Sequence, residues 1–304
     1  MNPHTSVLLE ETIDNLNIKS DGKYVDCTLG YGGHSSRILE KLETEGFLFA
    51  FDQDEEAIKY SRERLNNIKS HGGFKIIYSN FKNIKEYIKE PVDGIIYDLG
   101  VSSPQLDDET RGFSYHNDAR LDMRMDKNAS LSAYEVVNTY SYEKLVDIFF
   151  SYGEEQYAKS IAKNIVSSRP IETTLELVDT ICKSVPDSYK RKGHPGKKVF
   201  QAIRIEVNGE LAILEESLLD AFELLKKGGR MCVITFHSLE DRIVKKVFAK
   251  LSNDELSDLH LPISAQGYAA KAKLITKKPI LPSENELENN RRSRSAKLRV
   301  IEKL

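Results

Sequence analysis

Tyr24-Val25-Asp26-Cys27-Thr28-Leu29-Gly30-Tyr31-Gly32-Gly33-His34-Ser35 is an apolar run that breaks into a glycine-rich bend and then into helix-forming sequence. Val25, Cys27 and Leu29 suit a buried strand. The glycines let the backbone turn sharply and aim N–H groups at an anionic group, at the N-terminus of a helix expected to start near Ser35. The next apolar run, Gly46-Phe47-Leu48-Phe49-Ala50-Phe51, ends in Asp52, twenty residues after Gly32. That is the separation at which a doubly wound sheet sets an acid against ribose hydroxyls. Together the two features read as a cradle for a nucleoside-bearing cofactor. The plainer alternatives are an ordinary strand-to-helix turn for the glycines and a helix N-cap for Asp52.

The glycine spacing also bears on which cofactor. A dinucleotide fingerprint starting at Gly30 needs a third glycine where this chain has Ser35. S-adenosylmethionine has no pyrophosphate to embrace, only a methionine carboxylate and amine, so the short bend Gly30-Tyr31-Gly32-Gly33 is enough.

At 304 residues the chain is long enough for about two domains and a full core. No apolar run approaches the roughly 20 residues needed to span a bilayer, and Met1-Asn2-Pro3-His4 begins no secretory signal. A cytoplasmic protein with no membrane partner is expected. Cys27, Cys182 and Cys232 form no C-x-x-C pair and are expected reduced, and no histidine lies at ligand spacing from a cysteine or another histidine, so no metal is expected. The net charge is −3, yet residues 183–204 carry seven Lys and Arg against one Asp, and residues 271–304 carry ten against four Glu. Such stretches are either solvated faces or phosphate-binding surfaces.

Periodicity predicts helix over 54–68, strand over 74–78, helix over 81–88 and strand over 92–97, the start of a parallel sheet. Strand signals then stop for about a hundred residues in favour of helical patterns at 131–150, 154–167 and 174–183. A helix around 210–227, stopped by Lys226-Lys227-Gly228-Gly229, and a strand over 230–236 resume the alternation. Two late β runs, 272–276 and 296–301, have no strong helix signal between them and predict an antiparallel hairpin at one sheet edge. That ending suits a methyltransferase sheet better than a dehydrogenase one.

In an open α/β sheet, ligands bind beyond the carboxyl ends of the strands. There the chain reads Asp98-Leu99-Gly100-Val101-Ser102-Ser103-Pro104-Gln105. This block resembles the ribosomal RNA small subunit methyltransferase H family. So do the loop ending Gly32-Gly33-His34, Gly112-Phe113-Ser114, Leu121-Asp122-Met123-Arg124-Met125-Asp126, Phe200-Gln201-Ala202-Ile203-Arg204-Ile205, Phe236-His237-Ser238-Leu239-Glu240-Asp241-Arg242 and Arg294-Ser295-Ala296-Lys297-Leu298-Arg299. The blocks span essentially the whole chain in order.

The resemblance implies a class I S-adenosylmethionine-dependent methyltransferase: a Rossmann-like α/β fold with a mostly parallel sheet, a terminal antiparallel hairpin and an inserted helical domain. The methyltransferase domain would comprise 1–106 and 207–304, and the insert 107–206 would dock substrate. It implies methylation of the exocyclic N4 of a cytosine in the decoding region of small-subunit (16S) ribosomal RNA, within an assembled or nearly assembled 30S particle, and is compatible with a homodimer. Carried over residue by residue, the cofactor contacts are Gly32, Gly33, His34, Asp52, Phe81, Asp98 and Gln105. Tyr31, Ala119-Arg120 and Gly196-Lys197-Lys198-Val199 depart from the family pattern without touching these positions.

Cytosine N4 is a poor nucleophile because its lone pair is delocalised, so hydrogen-bond acceptors are required near Asp98. Asp98-Leu99-Gly100-Val101 lacks the prolines and stacking aromatic common in amino-methyltransferases, which leaves Phe113, Tyr115 or Phe236 to stack the base. His237, just past the strand over 230–236, is the candidate proton relay, with a backbone-bonding structural histidine as the alternative. Phe81 is either the adenine wall or a core aromatic, and His34 is expected to contribute backbone more than imidazole. A dinucleotide oxidoreductase and a non-catalytic RNA-binding assembly factor are the competing classes. The first fails at Ser35 and the hairpin, and the second leaves the cofactor positions unexplained.

Overall fold

The computed structural model describes residues 6–102, 106, 108–252 and 270–304. The chain divides into two compact units, Met1–Gly100 with Ala212–Leu304, and Val101–Leu211.

The first unit is built on a sheet of β1 (Lys23–Asp26), β2 (Phe47–Asp52), β3 (Gly73–Tyr78), β4 (Val92–Asp98), β5 (Leu225–Thr235), β6 (Ala272–Leu274) and β7 (Lys297–Lys303). Their order is β3-β2-β1-β4-β5-β7-β6. The first five strands are parallel; β7 runs antiparallel to both β5 and β6. This is the mostly parallel sheet with a terminal antiparallel hairpin of a class I methyltransferase. Successive residues alternate between two cores. Val25, Phe51, Ile95, Tyr97 and Val233 point to one, and Tyr24, Leu48, Ala50, Ile96 and Cys232 to the other. Burial on both faces is why the strands read as unbroken apolar runs.

The strand order reverses between β1 and β4, because the chain winds outward through β2 and β3 and returns to the other side of β1. The last residues of these neighbours are Asp26, Asp52 and Asp98. Three adjacent parallel strands therefore end in aspartate at the switch point, where such folds bind ligands.

Two expectations need correction. The Lys226-Lys227-Gly228-Gly229 run is not a helix stop followed by a gap: the preceding helix ends at Leu224 and β5 starts at Leu225. Gly228, at φ +78°, lies where the pairing of β5 with β4 shifts register between Val92 and Gly94, so the glycines serve an irregularity inside the strand. The hairpin of β6 and β7 also carries a helix, Glu284–Asn289, in its connection. Ser283, whose side chain accepts from Glu286 N–H at 3.2 Å, is its N-cap.

The second unit is helical: Ala133–Thr139, Tyr142–Ser151, Ala158–Ser167, Thr174–Lys183, Asp187–Lys190 and Gly196–Asn208. Its core gathers Val136, Leu145, Phe149, Ile161, Ile165, Leu177 and Ile203, all fully buried. The helical pattern over 131–150 is two helices rather than one, because Ser141 starts a new one by accepting from Lys144 N–H at 3.2 Å. Capping boxes at Ser132/Glu135 and Thr173/Glu176 open two others.

Candidate active site at the carboxyl ends of the strands

The loop after β1 is held by its own aspartates. Asp26, 1% exposed, accepts from Thr28 N–H at 3.0 Å and from Ser35 Oγ at 2.7 Å, so it ties the strand end to the following helix. Burial pushes its carboxyl up to about 6, against the lowering effect of those hydrogen bonds. Thr28 Oγ1 in turn accepts from Asp98 N–H at 2.6 Å, which joins the ends of β1 and β4.

The glycines are required sterically. Gly32, at φ +75°, is the N-cap of the helix Gly33–Leu39. A Cβ on Gly33 would come within 1.8 Å of Ser6 Oγ. The helix starts two residues earlier than expected, which puts Gly33 and His34 in its first turn, where backbone N–H groups lack intrahelical acceptors. Tyr31 turns its ring onto Tyr60, with centroids 4.7 Å apart, and its carbonyl accepts from Arg64 at 3.2 Å.

Asp52 also shapes the loop. Its Oδ2 accepts from Gly30 N–H at 2.7 Å and its Oδ1 from Asp54 N–H at 2.9 Å. Burial pushes its carboxyl up to about 6, with those N–H donors pulling the other way. The helix N-cap in this region is Asp54, which accepts from Glu56 N–H at 3.0 Å. Asp52 thus holds the glycine loop against β2, with carboxylate lone pairs left for a ligand.

Asp98 differs from both. Its Oδ2 lies 3.5 Å from Nδ1 of the buried His34, so the imidazole, and not only the backbone, reaches the site. Its Oδ1 is buried with no hydrogen-bond partner among the described residues. The side chain keeps 25% of its surface open, so it is not a sealed core group. Burial, then the charges of Asp26, Glu240 and Glu286, hold its carboxyl well above the usual range.

Two of those acids escaped sequence reasoning. Glu240, 2% exposed, sits on the first turn of the helix Ser238–Ser252 and accepts from Phe236 N–H at 2.8 Å and His237 N–H at 3.2 Å. His237 Nδ1 accepts from Glu240 N–H at 3.4 Å, and its Nε2 lies 3.1 Å from Glu240 Oε1. This reciprocal arrangement is a capping box with histidine as N-cap. Glu286 Oε1 accepts from Leu8 N–H at 2.9 Å, which fixes the segment that packs on Gly33. The legible signals were the three-residue spacings His237 to Glu240 and Ser283 to Glu286.

Phe81 opens a short 3-10 turn after β3 and meets Tyr97 edge to face at 5.4 Å, partly exposed beside the β4 end. Phe236 is half-buried, with Gly100 beneath its ring. Phe113 is buried and Tyr115 lies in an aromatic cluster, both in the helical unit. Gln105 lies outside the described residues.

A cationic nucleoside ligand such as S-adenosylmethionine fits this residue set. Buried carboxyl groups disfavour their own ionisation unless a cation joins them, and no Lys or Arg pairs with Asp26 or Asp98 among the described residues. An ammonium or sulfonium beside the exposed part of the Asp98 side chain would relieve that penalty.

The model of the MraW methylase family matches residues 1–304. The chain is 54% identical, over 309 residues, to ribosomal RNA small subunit methyltransferase H of Clostridioides difficile (strain 630), covering 99% of each. Among solved structures, an rRNA methylase from Streptococcus thermophilus is similar at 13% identity and a TM-score of 0.43, covering 97% of this chain and 93% of that one. An S-adenosylmethionine-dependent O-methyltransferase from Thermotoga maritima is similar at 10% identity and a TM-score of 0.44, covering 100% and 68%.

Proposed function

The chain belongs to the MraW methylase family, and on that premise we propose that it methylates the exocyclic N4 of a cytosine in the decoding region of small-subunit ribosomal RNA. The observation that carries this reading is the row of aspartates ending β2, β1 and β4, with Asp98 Oδ1 buried and unpartnered at its end.

When bound, S-adenosylmethionine supplies an electrophilic methyl group on a sulfonium. Gly33 and His34 meet the methionine end through the N–H groups of the first helical turn, with Gly32 as the positive-φ N-cap before them; Asp52 accepts from the ribose hydroxyls, Phe81 offers an apolar wall to the adenine, and Gln105 completes the cofactor contacts that the resemblance implies. Asp98 accepts a hydrogen bond from the cytosine amine, which holds the nitrogen in line and returns electron density to it. His34 keeps the Asp98 carboxyl oriented from its other side. His237, held beside Glu240 with its Nε2 3.1 Å from Oε1 and not hydrogen-bonded among the described residues, takes up the proton released from the amine.

In this reading residues 1–106 and 207–304 are the methyltransferase domain, and 107–206 dock the RNA within a 30S particle in the cytoplasm. Among the described residues no helix is long and apolar enough to cross a membrane.

The test is transfer of labelled methyl from S-adenosylmethionine to unmethylated 30S particles and to naked small-subunit RNA, with the product nucleoside identified by mass spectrometry. N4-methylcytosine in the decoding region is the expected product. Label on another base, or none on either substrate, would overturn the assignment.

A further inference from the structure

The helical unit carries a graded cluster of aromatic rings at the edge of its core. At the inner end Phe200 is 3% exposed. Tyr115 meets it edge to face at 5.8 Å and stacks on His194 at 4.4 Å with 24° between planes. His116 completes the set, 4.5 Å from Tyr115 and 5.4 Å from His194, and is solvent-exposed. The rings grow more polar and more open toward the outside. A core would end in an aliphatic group, whereas this cluster ends in imidazoles.

His194 is oriented within it. Its Nδ1 accepts from Gly196 N–H at 3.1 Å, which leaves the proton of the neutral ring on Nε2. A Cβ on Gly196 would stand 3.0 Å from that ring, so the glycine makes room for it. Burial, and secondarily His116, lowers the affinity of this imidazole for a proton. It therefore offers a π face and an N–H donor rather than a charge.

The seven cations of residues 183–204 fall into two groups. Lys183 is paired with Asp179, Lys190 with Asp187 at 2.8 Å, and Arg204 with Glu210 at 2.8 Å; Lys198 Nζ donates to Glu154 O at 2.8 Å. Arg191, Lys192 and Lys197 make no ion pair among the described residues and are exposed. These three flank His194 in sequence, and Lys197 N–H donates to His194 O at 3.2 Å. In the other basic stretch, Lys297 and Arg299 are committed to Asp241 and Lys303 to backbone carbonyls.

Open rings beside free cations are the two parts of a single-strand nucleic-acid grip: bases stack on the rings and the flanking phosphates meet the charges. We propose that Tyr115, His116 and His194 form a stacking platform for an unpaired base of an RNA strand whose phosphates are held by Arg191, Lys192 and Lys197. The proposal deepens the reading of this unit as the RNA-docking part of an RNA methyltransferase and rests on it for the choice of RNA.

The test is fluorescence anisotropy of a fluorescein-labelled oligouridylate titrated with the full chain across a salt series. His116→Ala should weaken binding about tenfold or more without changing the slope of log affinity against log salt. His116→Phe, which keeps a ring and loses the imidazole, should bind like the parent. Arg191→Ala with Lys192→Ala and Lys197→Ala should flatten the slope by about 0.7 for each lost contact. Parental affinity in His116→Ala would overturn the platform. So would a loss that His116→Phe fails to restore, or an equal loss on an RNA duplex of the same length. The assay needs neither cofactor nor methyl acceptor, so its outcome is separate from whether N4-methylcytosine is formed.

Discussion

The two units treat buried acids in opposite ways. In the helical unit Glu155 is fully buried, yet its carboxylate accepts from Tyr189 Oη at 2.6 Å and from Tyr157 N–H at 2.9 Å. Asp122 receives Arg124 through Nε at 2.8 Å and Nη2 at 2.7 Å. Burial pushes the Asp122 carboxyl up, and its hydrogen bonds and charge pairing with Arg124 more than offset this, so it sits below the usual value. At the strand ends of the sheet unit, Asp26, Asp52 and Asp98 are all pushed up by burial without a compensating cation. The same unit does pair acids elsewhere: Asp241 holds Arg299 Nε at 2.7 Å. Among the described residues, the aspartates that burial pushes above their usual value are these three at the switch point. A buried carboxyl without a cation costs stability, and it persists where a ligand supplies the missing partner.

The sharpest way to break this comparison is Asp98→Asn. Single-turnover methyl transfer at saturating cofactor should fall by about a hundredfold or more, while the unliganded protein should melt at a higher temperature because the penalised carboxyl is gone. A near-parental rate would move the chemistry elsewhere, and a lower melting temperature would mean that Asp98 is structural. Next in size, Asp52→Ala should weaken S-adenosylhomocysteine binding by about 1.5–3 kcal/mol in calorimetry. Because Asp52 also receives Gly30 and Asp54 N–H, Asp52→Asn should fall between the two; equal affinity in parent and alanine variant would reduce Asp52 to a loop anchor.

The satisfied acids should respond in stability alone. Tyr189→Phe strips a donor from buried Glu155, and urea denaturation should register a loss of about 1–3 kcal/mol with unchanged S-adenosylhomocysteine affinity. Lys190, Arg191 and Lys192 replaced together by Ala should flatten the salt dependence of RNA binding by about 1.4, at roughly 0.7 for each of the two cations not already held by an acid. No change in slope would make the stretch a solvated face.

The last contrast is in pH. Asp26 and Asp52 are pushed up to about 6 from an unfolded value of about 3.9, so the folded chain holds protons that the unfolded chain releases between those values. Their contribution to stability is present in full below about 3.9 and is lost as pH rises through about 6. Melting of the unliganded protein across this window should show the decline, and Asp26→Asn with Asp52→Asn should flatten it. A decline unchanged in the double variant would assign it to other groups.

The glycine bend, the succession of strands and helices along the chain and the terminal antiparallel pair were legible because each rests on local periodicity and punctuation. Asp52 and Asp98 were legible as strand-terminal acids. Asp26 was not: it read as part of the strand, and only its contact with Ser35 across the turn shows what it does. His34 was read as backbone because nothing local tells that its ring reaches the end of β4.

Sequence by itself determined where the central apolar runs lie and that Asp52 and Asp98 close theirs, because burial on two faces demands an apolar run and its end is a local event. Tertiary structure alone decided which acids share the site. Asp98 has Glu240 and Glu286 for electrostatic neighbours because β4 lies beside β5 and the helix Glu284–Asn289 returns, 278 residues along the chain, to hold Leu8. Charge compensation is a property of neighbours in space. No reading along the chain could tell the carboxyls left without a cation from those, such as Asp241, that a distant arginine neutralises.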